Sequence, residues 1–298
     1  MTLWKLAFET DQQYNYVEAI HTRYPGIDIR SARLHNHDGE FNDILIVNDD
    51  LVFRFPRHAE NIPGVLREVT LLAKLQACLP LPIPNPIYTS DDVSSPGKVF
   101  MGYRLIPGRP LYREVLNNIK NKASLYGFAR QLADFLSSLH HLTSSMIDLD
   151  LPLLDMPAWV HTFYTEAHEH LYPFMRPDAR QSMDEHFDLY SNSPDLQSYQ
   201  PAIIHGDFGG SNILFDNDKI SGILDFSATG YGDPALDIAA VSTYGEPFFT
   251  HICQFYSVTA SLLGRAKFYR GLFALEEALY GWKNGDKEAF RRGMEQYV

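Results

Sequence analysis

The sequence predicts an α+β fold with two lobes, a small N-terminal lobe built on an antiparallel sheet and a larger, mainly helical C-terminal lobe. Three observations support this prediction. A chain of 298 residues is long for a single hydrophobic core. Its first hundred residues alternate short β-type runs with turns. Later segments place apolar residues three and four positions apart, as amphipathic helices do. We place the boundary between the lobes at residues 104 and 105.

The N-terminal lobe, residues 1–104, is predicted to contain two helices and several strands. Thr10 or Asp11 caps a helix over residues 10–24, which ends at Pro25. A second helix over residues 66–79 ends at a proline-rich segment. The apolar or β-branched runs predicted as strands cover residues 27–34, 43–47, 51–55 and 99–106.

The C-terminal lobe, residues 105–298, has mainly helical patterns. Apolar spacing predicts helices over residues 124–141, about 156–190, 248–263 and 267–282. Short β-type runs at residues 202–214 and 219–226 surround two acidic motifs. Because none of the histidines has further ligands at metal spacing, solvated helix faces are the better account of residues such as His140, His141, His168 and His170.

Charge and cysteine usage narrow the possible partners. Lys and Arg total 25 against 37 Asp and Glu, a net charge of -12, which argues against a nucleic-acid partner. An acidic surface suits a cationic small molecule, although it also simply keeps a protein soluble. Cys78 and Cys253 indicate neither a disulfide framework nor a metal site. With no signal peptide and no membrane-spanning run, we expect a cytoplasmic monomer that binds no membrane.

The segment HGDFGGSN at residues 205–212 carries the most specific pattern. Asp207 is followed five positions later by Asn212, and Asp225 follows in the sequence ILDF. Protein kinases place a base-like Asp, a magnesium-binding Asn and a magnesium-binding Asp in this order, with the same spacing from Asp to Asn. Phosphoryl transfer needs these groups. Taken singly, the two motifs could instead be a strand-end turn and a capping Asp.

A phosphate-contacting cation and its acidic partner are expected upstream of this motif. Arg54 lies within the apolar strand VFRF, and Glu68 lies in the helix that follows. A charge in the middle of such a strand is costly unless it is paired, so Arg54 and Glu68 are predicted to form an ion pair. Kinases usually have Lys here, and the alternative is an Arg at a surface edge.

Nucleotide contacts are predicted from two further segments of the N-terminal lobe. Gly39, Phe41 and Asn42 lie in the turn between the first two strands, where a loop would cover the phosphates, although an ordinary hairpin turn fits as well. Met101 and Tyr103 lie where the chain passes between lobes. Their backbone groups are predicted to contact a purine edge.

These motifs together resemble the aminoglycoside phosphotransferase family, and within it the 2''-phosphotransferases most closely. The resemblance covers nearly the whole chain and rests on DGEFND, LVFRFPRH, LPLPIP, HGDFGGSNILFD, ISGILDFSATGYGDPALDIA and LEEALYG. Macrolide phosphotransferases share several of these segments. The resemblance implies a protein-kinase-like fold, Mg²⁺, and ATP or GTP as donor. It makes Asp207 the base-like residue, Asn212 and Asp225 the metal ligands and Arg54 the phosphate contact, with His205, Asp233 and Asp237 mainly structural.

The acceptor implied by this resemblance is a cationic aminoglycoside, phosphorylated at its 2''-hydroxyl. Polyamines are bound by carboxylates and aromatic faces. Glu276 and Tyr280 lie four residues apart on one helix face, and further candidates are Glu246, Glu277 and Trp282, with Asp207 also expected to contact the acceptor. An exposed charged face with a packed Tyr is the alternative. Two alternatives remain open. The acceptor is a macrolide or another hydroxylated metabolite, or the protein is a nucleotide-binding pseudokinase.

Overall fold

The computed structural model describes residues 10–35 and 41–298, which form two compact units. The first, here called the sheet unit, spans residues 1–111, 147–149 and 211–227. The second, the helical unit, spans residues 112–146, 150–210 and 228–298. Both units are therefore discontinuous in sequence, and the chain that contains Asn212 and Asp225 belongs to the sheet unit.

The helices and strands follow in chain order. The strands are β1 Ala32–His35, β2 Asn42–Val47, β3 Leu51–Pro56, β4 Tyr88–Asp91, β5 Val99–Arg104, β6 Arg109–Pro110, β7 Ala202–Ile204, β8 Ile213–Asp216, β9 Lys219–Ile223 and β10 Gly230–Gly232. The helices are α1 Asp11–Arg23, α2 Ile62–Leu75, α3 Arg113–Asn117, α4 Lys122–His140, α5 Ser144–Ile147, α6 Met156–His170, α7 Pro177–Ser191, α8 Pro194–Gln197, α9 Ala235–Ser242, α10 Phe248–Phe255, α11 Ala260–Arg270, α12 Phe273–Asn284 and α13 Lys287–Met294. No helix within the described residues is long and apolar enough to span a membrane.

An antiparallel sheet with the order β1-β2-β3-β5-β4 forms the main layer of the sheet unit. The turn between β2 and β3 has positive φ at Asn48 and Asp49, 55° and 53°, which a tight hairpin requires and which these residue types tolerate. The resulting register pairs Arg54 with Ile44 on one side and Met101 on the other. Arg54 therefore lies in the middle of three paired strands.

Helices α1 and α2 complete the sheet unit. Thr10 caps α1 by accepting a hydrogen bond from the Gln13 N–H at 3.2 Å, as the sequence predicts. Tyr16 of α1 stacks on Phe55 at 3.9 Å within a core that includes Phe53 and Phe100. Helix α2 begins at Ile62, four residues before its predicted start, because Pro63 is tolerated in the first turn. Its buried face contains Glu68.

A second, three-stranded sheet of the sheet unit has the order β6-β8-β9. Asn212 immediately precedes β8, and Asp225 follows β9 after one residue. The Leu224 N–H donates to the Asn212 carbonyl at 2.8 Å. The β8–β9 hairpin therefore brings both candidate metal ligands to one end of the same two strands.

The helical unit is built on α4, whose buried face includes Phe128, Leu132 and Phe135. Strand β7 pairs with β10, and Asp207 follows β7. Helices α12 and α13 pack closely because Gly281 has no side chain. A Cβ at this position would collide with the Phe290 backbone. This close packing fixes the position of α12, which contains several of the predicted acceptor-binding residues.

Several predicted elements are shorter or divided in the structure. The predicted helix over residues 156–190 is two helices, α6 and α7, because the chain turns around Pro173 and Pro177 then starts α7. The helix predicted over residues 248–263 ends at Phe255, and Thr259 caps the next one. The first strand was predicted over residues 27–34 but covers Ala32–His35. Before it, the Asn48 side chain, rather than a neighbouring strand, accepts from the Arg30 and Ser31 amides.

Candidate active site

Arg54 is the buried cation of the sheet unit. It lies on β3 between Phe53 and Phe55, and its side chain is 7% exposed. Nη1 donates to Glu68 at 2.8 Å and Nη2 donates to Asp225 at 3.2 Å. Burial disfavours the charge, but the Glu68 and Asp225 carboxylates outweigh it and raise the pKa of the guanidinium. The predicted ion pair with Glu68 is present, and Arg54 stays ionised.

Glu68 connects α2 to the chain that follows β9. The same oxygen that accepts from Arg54 also accepts the Phe226 N–H at 3.1 Å. The Glu68 side chain is almost completely buried, so both hydrogen bonds are formed away from solvent. Glu68 thereby fixes the backbone next to Asp225 as well as the guanidinium that contacts it.

Asp225 combines an unusual backbone with an ionised side chain. Its φ is +58°, a left-handed conformation that Asp tolerates better than most residues and that recurs at functional sites. The Ser227 N–H donates to Oδ1 at 3.3 Å. Burial raises the pKa of this carboxyl, but Arg54 and Ser227 lower it by more than burial raises it. The pKa of Asp225 is therefore below its ordinary value. The side chain is 37% exposed and charged at neutral pH.

Asn212 and Asp225 fit a magnesium ion by their chemistry. Magnesium prefers oxygen ligands and is usually held by one or two protein groups together with water and phosphate oxygens. The Asp225 carboxylate is ionised and fixed by Arg54 and Ser227, while Asn212 adds an amide oxygen at the same end of the β8–β9 hairpin. The pair supplies the donor types that this ion requires.

The predicted nucleotide contacts lie in three different environments. Gly39 lies outside the described residues. Phe41 is 49% exposed, whereas Asn42 begins β2 and is buried. Met101 and Tyr103 belong to the interior of β5, which pairs with β3 and β4, and the Leu105 N–H still donates to the Asp50 carbonyl at 2.7 Å. Pairing with β4 ends at Gly102, whose carbonyl accepts the Ile87 N–H at 2.9 Å, while pairing with β3 continues to Arg104. The β4 side of β5 is therefore no longer paired with a strand beyond Gly102, between the two predicted purine contacts.

Asp207 lies in the helical unit, in the loop after β7. Its side chain is exposed, while the neighbouring His205 and Phe208 are buried. Phe208 stacks on Phe135 of α4 at 5.6 Å, and the Asp207 N–H donates to His205 Nδ1 at 3.3 Å. Gly206 has φ +83°, and a Cβ there would lie 2.6 Å from the Ala228 carbonyl oxygen. The backbone of this loop is therefore held rigidly, while the Asp207 carboxylate is accessible.

Asp237, at the start of α9, anchors this loop. It is fully buried and accepts the His205 N–H at 2.8 Å and the Gly206 N–H at 3.0 Å. Burial would raise the pKa of the Asp237 carboxyl, but hydrogen bonds and charges from His140 and His205 lower it instead. Asp233 caps α9 through the Ala235 N–H at 3.0 Å and accepts from Arg265 at 2.6 Å. Both residues hold loops, as the family resemblance implies.

Glu276 is the acceptor-site candidate that lies near Asp207. It is half-buried on α12, and burial together with the Asp207 charge raises its pKa to about 7. Tyr280 lies one turn further along the same helix. Two carboxylates thus come close together at a partly buried place in the helical unit, where a cation would relieve their repulsion.

The other acceptor-site candidates have neighbours of their own. Glu277 accepts from Arg292 Nε at 2.7 Å, and Trp282 stacks on His170 at 3.8 Å while remaining 44% exposed. Glu246 is exposed before α10 and accepts from the Thr250 hydroxyl. Among the predicted acceptor residues, Glu276 has an electrostatic interaction with Asp207.

His140 and Ser227 are site residues that the sequence did not indicate. His140 was expected on a solvated helix face, but its side chain is 4% exposed and contacts Asp237, so that prediction was wrong. A single His at the end of an amphipathic helix gives no signal of a partner nearly a hundred residues away. Ser227 is two residues after Asp225, a spacing at which an Asp side chain commonly accepts a backbone N–H.

A buried Arg–Glu pair beside an ionised Asp, and a rigid loop that exposes a second Asp, are features of a kinase-like phosphotransferase. The chain belongs to the phosphotransferase enzyme family, whose model matches residues 31–269. The viomycin phosphotransferase of Streptomyces vinaceus is 28% identical over 270 residues, which cover 88% of this chain and 91% of that protein.

Solved structures show the same fold. The GDP and kanamycin complex of APH(2'')-IIIa is similar with a TM-score of 0.85 and 24% identity, over 94% of this chain and 96% of that one. Macrolide 2'-phosphotransferase type I is similar with a TM-score of 0.75 and 20% identity, over 98% and 99% of the two chains. The predicted α+β, protein-kinase-like fold, with its antiparallel sheet and its mainly helical part, is confirmed.

Proposed function

We propose that this phosphotransferase moves the γ-phosphoryl group of a Mg²⁺-bound nucleoside triphosphate to a hydroxyl of a cationic aminoglycoside, with the 2''-hydroxyl as the acceptor. The observation that carries the proposal is the pair of carboxylates, Asp207 and Glu276, in the helical unit. Glu276 would bind an ammonium group of the acceptor. The exposed Asp207 would then accept or orient the proton of the reacting hydroxyl.

Four residues would act on the nucleoside triphosphate, namely Arg54, Glu68, Asn212 and Asp225. Arg54 would contact the nucleotide phosphates, and Glu68 would hold the guanidinium in place. Asn212 and Asp225 would hold Mg²⁺, which neutralises charge on the polyphosphate when bound. The spacing of Asp207, Asn212 and Asp225 in sequence supports their action on one nucleotide.

We propose that the nucleotide itself is contacted by backbone and side-chain groups of five residues, Gly39, Phe41, Asn42, Met101 and Tyr103. A purine edge needs unpaired N–H and C=O groups, and β5 would offer these beyond Gly102, where its pairing with β4 ends. ATP and GTP present different edges to such groups. Both are therefore tested as donors.

Viomycin is a second candidate acceptor. The relative from Streptomyces vinaceus that bears this name covers most of the chain at 28% identity. A macrolide is a third, since a macrolide phosphotransferase has the same fold. Macrolide binding favours a larger, more apolar surface, whereas Glu276, Glu246 and Glu277 favour a polycation. Tyr280 and Trp282 would add aromatic faces for either class.

A screen of acceptors with each donor tests this proposal. Purified protein is incubated with Mg²⁺, ATP or GTP, and kanamycin, viomycin or a macrolide, and phosphorylated product is identified by mass spectrometry and phosphorus NMR. We expect product with kanamycin. Product with viomycin or the macrolide alone would replace the aminoglycoside assignment, and nucleotide binding without any product would favour a pseudokinase.

A charge-removing pair of variants tests the part assigned to Glu276. Glu276→Gln should raise the KM for the acceptor about tenfold and leave the KM for the nucleotide unchanged, because a buried charge-assisted contact contributes about 1.5–3 kcal/mol. Glu185→Gln removes an exposed carboxylate from α7 of the same unit and serves as the matched control. Equal effects of the two variants would show that general acidity, and not Glu276, attracts the acceptor.

A further inference from the structure

A buried hydrogen-bond network extends from Asp237 to two residues that have no part in the proposed chemistry. His140 Nε2, at the end of α4, lies 3.1 Å from Asp237 Oδ2, and His140 Nδ1 lies 2.7 Å from the Tyr256 hydroxyl. The His140 side chain is 4% exposed and that of Asp237 is fully buried. The network therefore lies in the interior of the helical unit.

The donors and acceptors in this network are determined by the Asp237 carboxylate. An ionised carboxylate only accepts hydrogen bonds, so Nε2 of His140 must carry the proton. The Tyr256 hydroxyl satisfies His140 Nδ1 in either protonation state, by donating its O–H to a neutral imidazole or by accepting from an imidazolium. Burial, reinforced by the Asp237 charge, raises the pKa of the Tyr256 hydroxyl, which keeps that proton in place.

The two oxygens of Asp237 are thus divided between the loop and the helix. Oδ1 accepts the Gly206 N–H at 3.0 Å, while Oδ2 accepts the His205 N–H at 2.8 Å and the proton of His140. The two amides hold one oxygen each but belong to the loop that Asp237 positions. His140 adds a third, buried contact from α4, so movement of Asp237 together with the loop would break a hydrogen bond to a separate helix.

We propose that His140 is a positioning residue for phosphoryl transfer. By holding Asp237 in place, His140 fixes the backbone amides of His205 and Gly206. These amides in turn fix the position of the Asp207 carboxylate relative to the acceptor. Tyr256 supports this arrangement by forming a hydrogen bond with the other ring nitrogen of His140. The proposal rests on the function proposed for Asp207. Neither His140 nor Tyr256 contacts the reacting groups in this account.

Three variants separate hydrogen bonding from packing. His140→Leu fills the same space without a donor. His140→Gln retains an N–H at about the position of Nε2, and Tyr256→Phe keeps the ring but removes the hydroxyl that forms a hydrogen bond with His140 Nδ1. His141→Gln is the matched control, because His141 is the next residue, is exposed and bonds only to the Ser137 carbonyl among the described residues.

Two measurements are made on each variant, with its melting temperature as a check on folding. Hydrogen exchange followed by mass spectrometry reports on the backbone amides of residues 202–210 and does not depend on any reaction. Steady-state kinetics with the acceptor found in the screen give kcat and both KM values. If the wild-type protein transfers phosphate to no acceptor, the proposed function fails while the exchange result still tests the network.

We expect His140→Leu to accelerate amide exchange in residues 202–210 and to lower kcat by about 10- to 100-fold, with the KM for nucleotide unchanged. Tyr256→Phe should show the same pattern more weakly, and His140→Gln should recover most of the loss. His140→Gln no better than His140→Leu would overturn the proposal, as would unchanged exchange and kcat in both. If His140→Leu does not fold, Tyr256→Phe and His140→Gln decide alone.

Discussion

Asp207 and Asp225 are two carboxylates whose surroundings suit different tasks. Asp225 is fixed by Arg54 and Ser227, and these contacts keep its pKa below the usual range. Asp207 is exposed on a rigid loop, and its backbone N–H donates to His205 Nδ1 at 3.3 Å. A fixed, ionised carboxylate such as Asp225 suits the binding of a cation. An accessible carboxylate such as Asp207 suits the transfer of a proton.

Glu276 has a third kind of surroundings, which makes its charge a cost to the folded protein. Its pKa rises from an ordinary value of 4.5 to about 7, first through burial and then through Asp207. Between these two pH values the folded protein binds a proton that the unfolded chain has released, so the stability contributed by Glu276 falls as pH rises.

We therefore predict that Glu276→Gln gains stability relative to the wild-type protein as pH increases. The difference in free energy of unfolding should be near zero at pH 4 and should reach at most about 3 kcal/mol at pH 8. Denaturant unfolding of both proteins across this pH range measures it. A difference that does not change with pH would show that Glu276 is not forced to ionise against its surroundings.

At the scale of elements, the buried pair of Arg54 and Glu68 joins β3 to α2 and to the chain after β9. Removing one partner of a buried ion pair leaves the other charge uncompensated, whereas replacing both with apolar groups is often neutral. Glu68→Leu should therefore lower the free energy of unfolding by about 3 kcal/mol or more.

The double variant Arg54→Met with Glu68→Leu should recover only part of that stability, because Asp225 then loses its cation and the Phe226 N–H its acceptor. It should transfer no phosphate, because the proposed phosphate contact is gone. Urea unfolding and product formation are measured on the single and double variants. A stable double variant with wild-type turnover would contradict the part assigned to Arg54, and a double variant as unstable as Glu68→Leu would contradict the pairing argument.

Gly206 lies in the loop that follows β7, and its substitution tests whether this loop is strained. A methyl group there meets the Ala228 carbonyl oxygen at 2.6 Å, and φ is +83°. Gly206→Ala should cost about 1–3 kcal/mol of stability and should lower kcat. Gly127→Ala is the control, because Gly127 lies inside α4 with nothing within 4 Å of its added Cβ, and it should stabilise by about 0.5–1 kcal/mol. Equal changes in melting temperature would refute the strain argument.

Elements were predicted best where a local pattern decides them. The meander around Arg54 and the helix with Glu68 followed from β-branched runs, turn residues and apolar spacing, and their ion pair followed from the cost of an unpaired charge. Patterns failed where a local interruption outweighed periodicity, as between α6 and α7 at Pro173 and Pro177. Strand β4 was missed because TSD at residues 89–91 has no apolar alternation of its own and depends on pairing with β5.

Site residues were predictable when their chemistry required a motif. Asp207, Asn212 and Asp225 were predicted from their spacing, and Glu276 from a helix face; their roles stay predictions. His140 could not be found, because its role depends on a partner 97 positions away that only the fold brings into contact. Long-range contacts of this kind leave no periodic signal in a single sequence.

At the scale of the whole molecule, the net charge of -12 should influence how a cationic acceptor binds. An acidic surface concentrates cations, and salt screens this attraction over about 8–10 Å. We predict that the KM for an aminoglycoside rises several-fold between low and high salt in the wild-type protein. A macrolide, if it is accepted, should show a much weaker dependence, and a salt-independent aminoglycoside KM would contradict the electrostatic account.

The central claim is that Asp207 acts on the acceptor hydroxyl after donor and acceptor have bound. The most direct test compares wild-type protein with Asp207→Asn, which removes the charge and keeps the shape. Transfer of the γ-phosphoryl group is followed in a single turnover, and nucleotide affinity is measured by calorimetry with Mg²⁺. We predict a fall in the rate of about 10²- to 10⁴-fold with nucleotide affinity unchanged. Transfer by Asp207→Asn within tenfold of the wild-type rate would contradict the account.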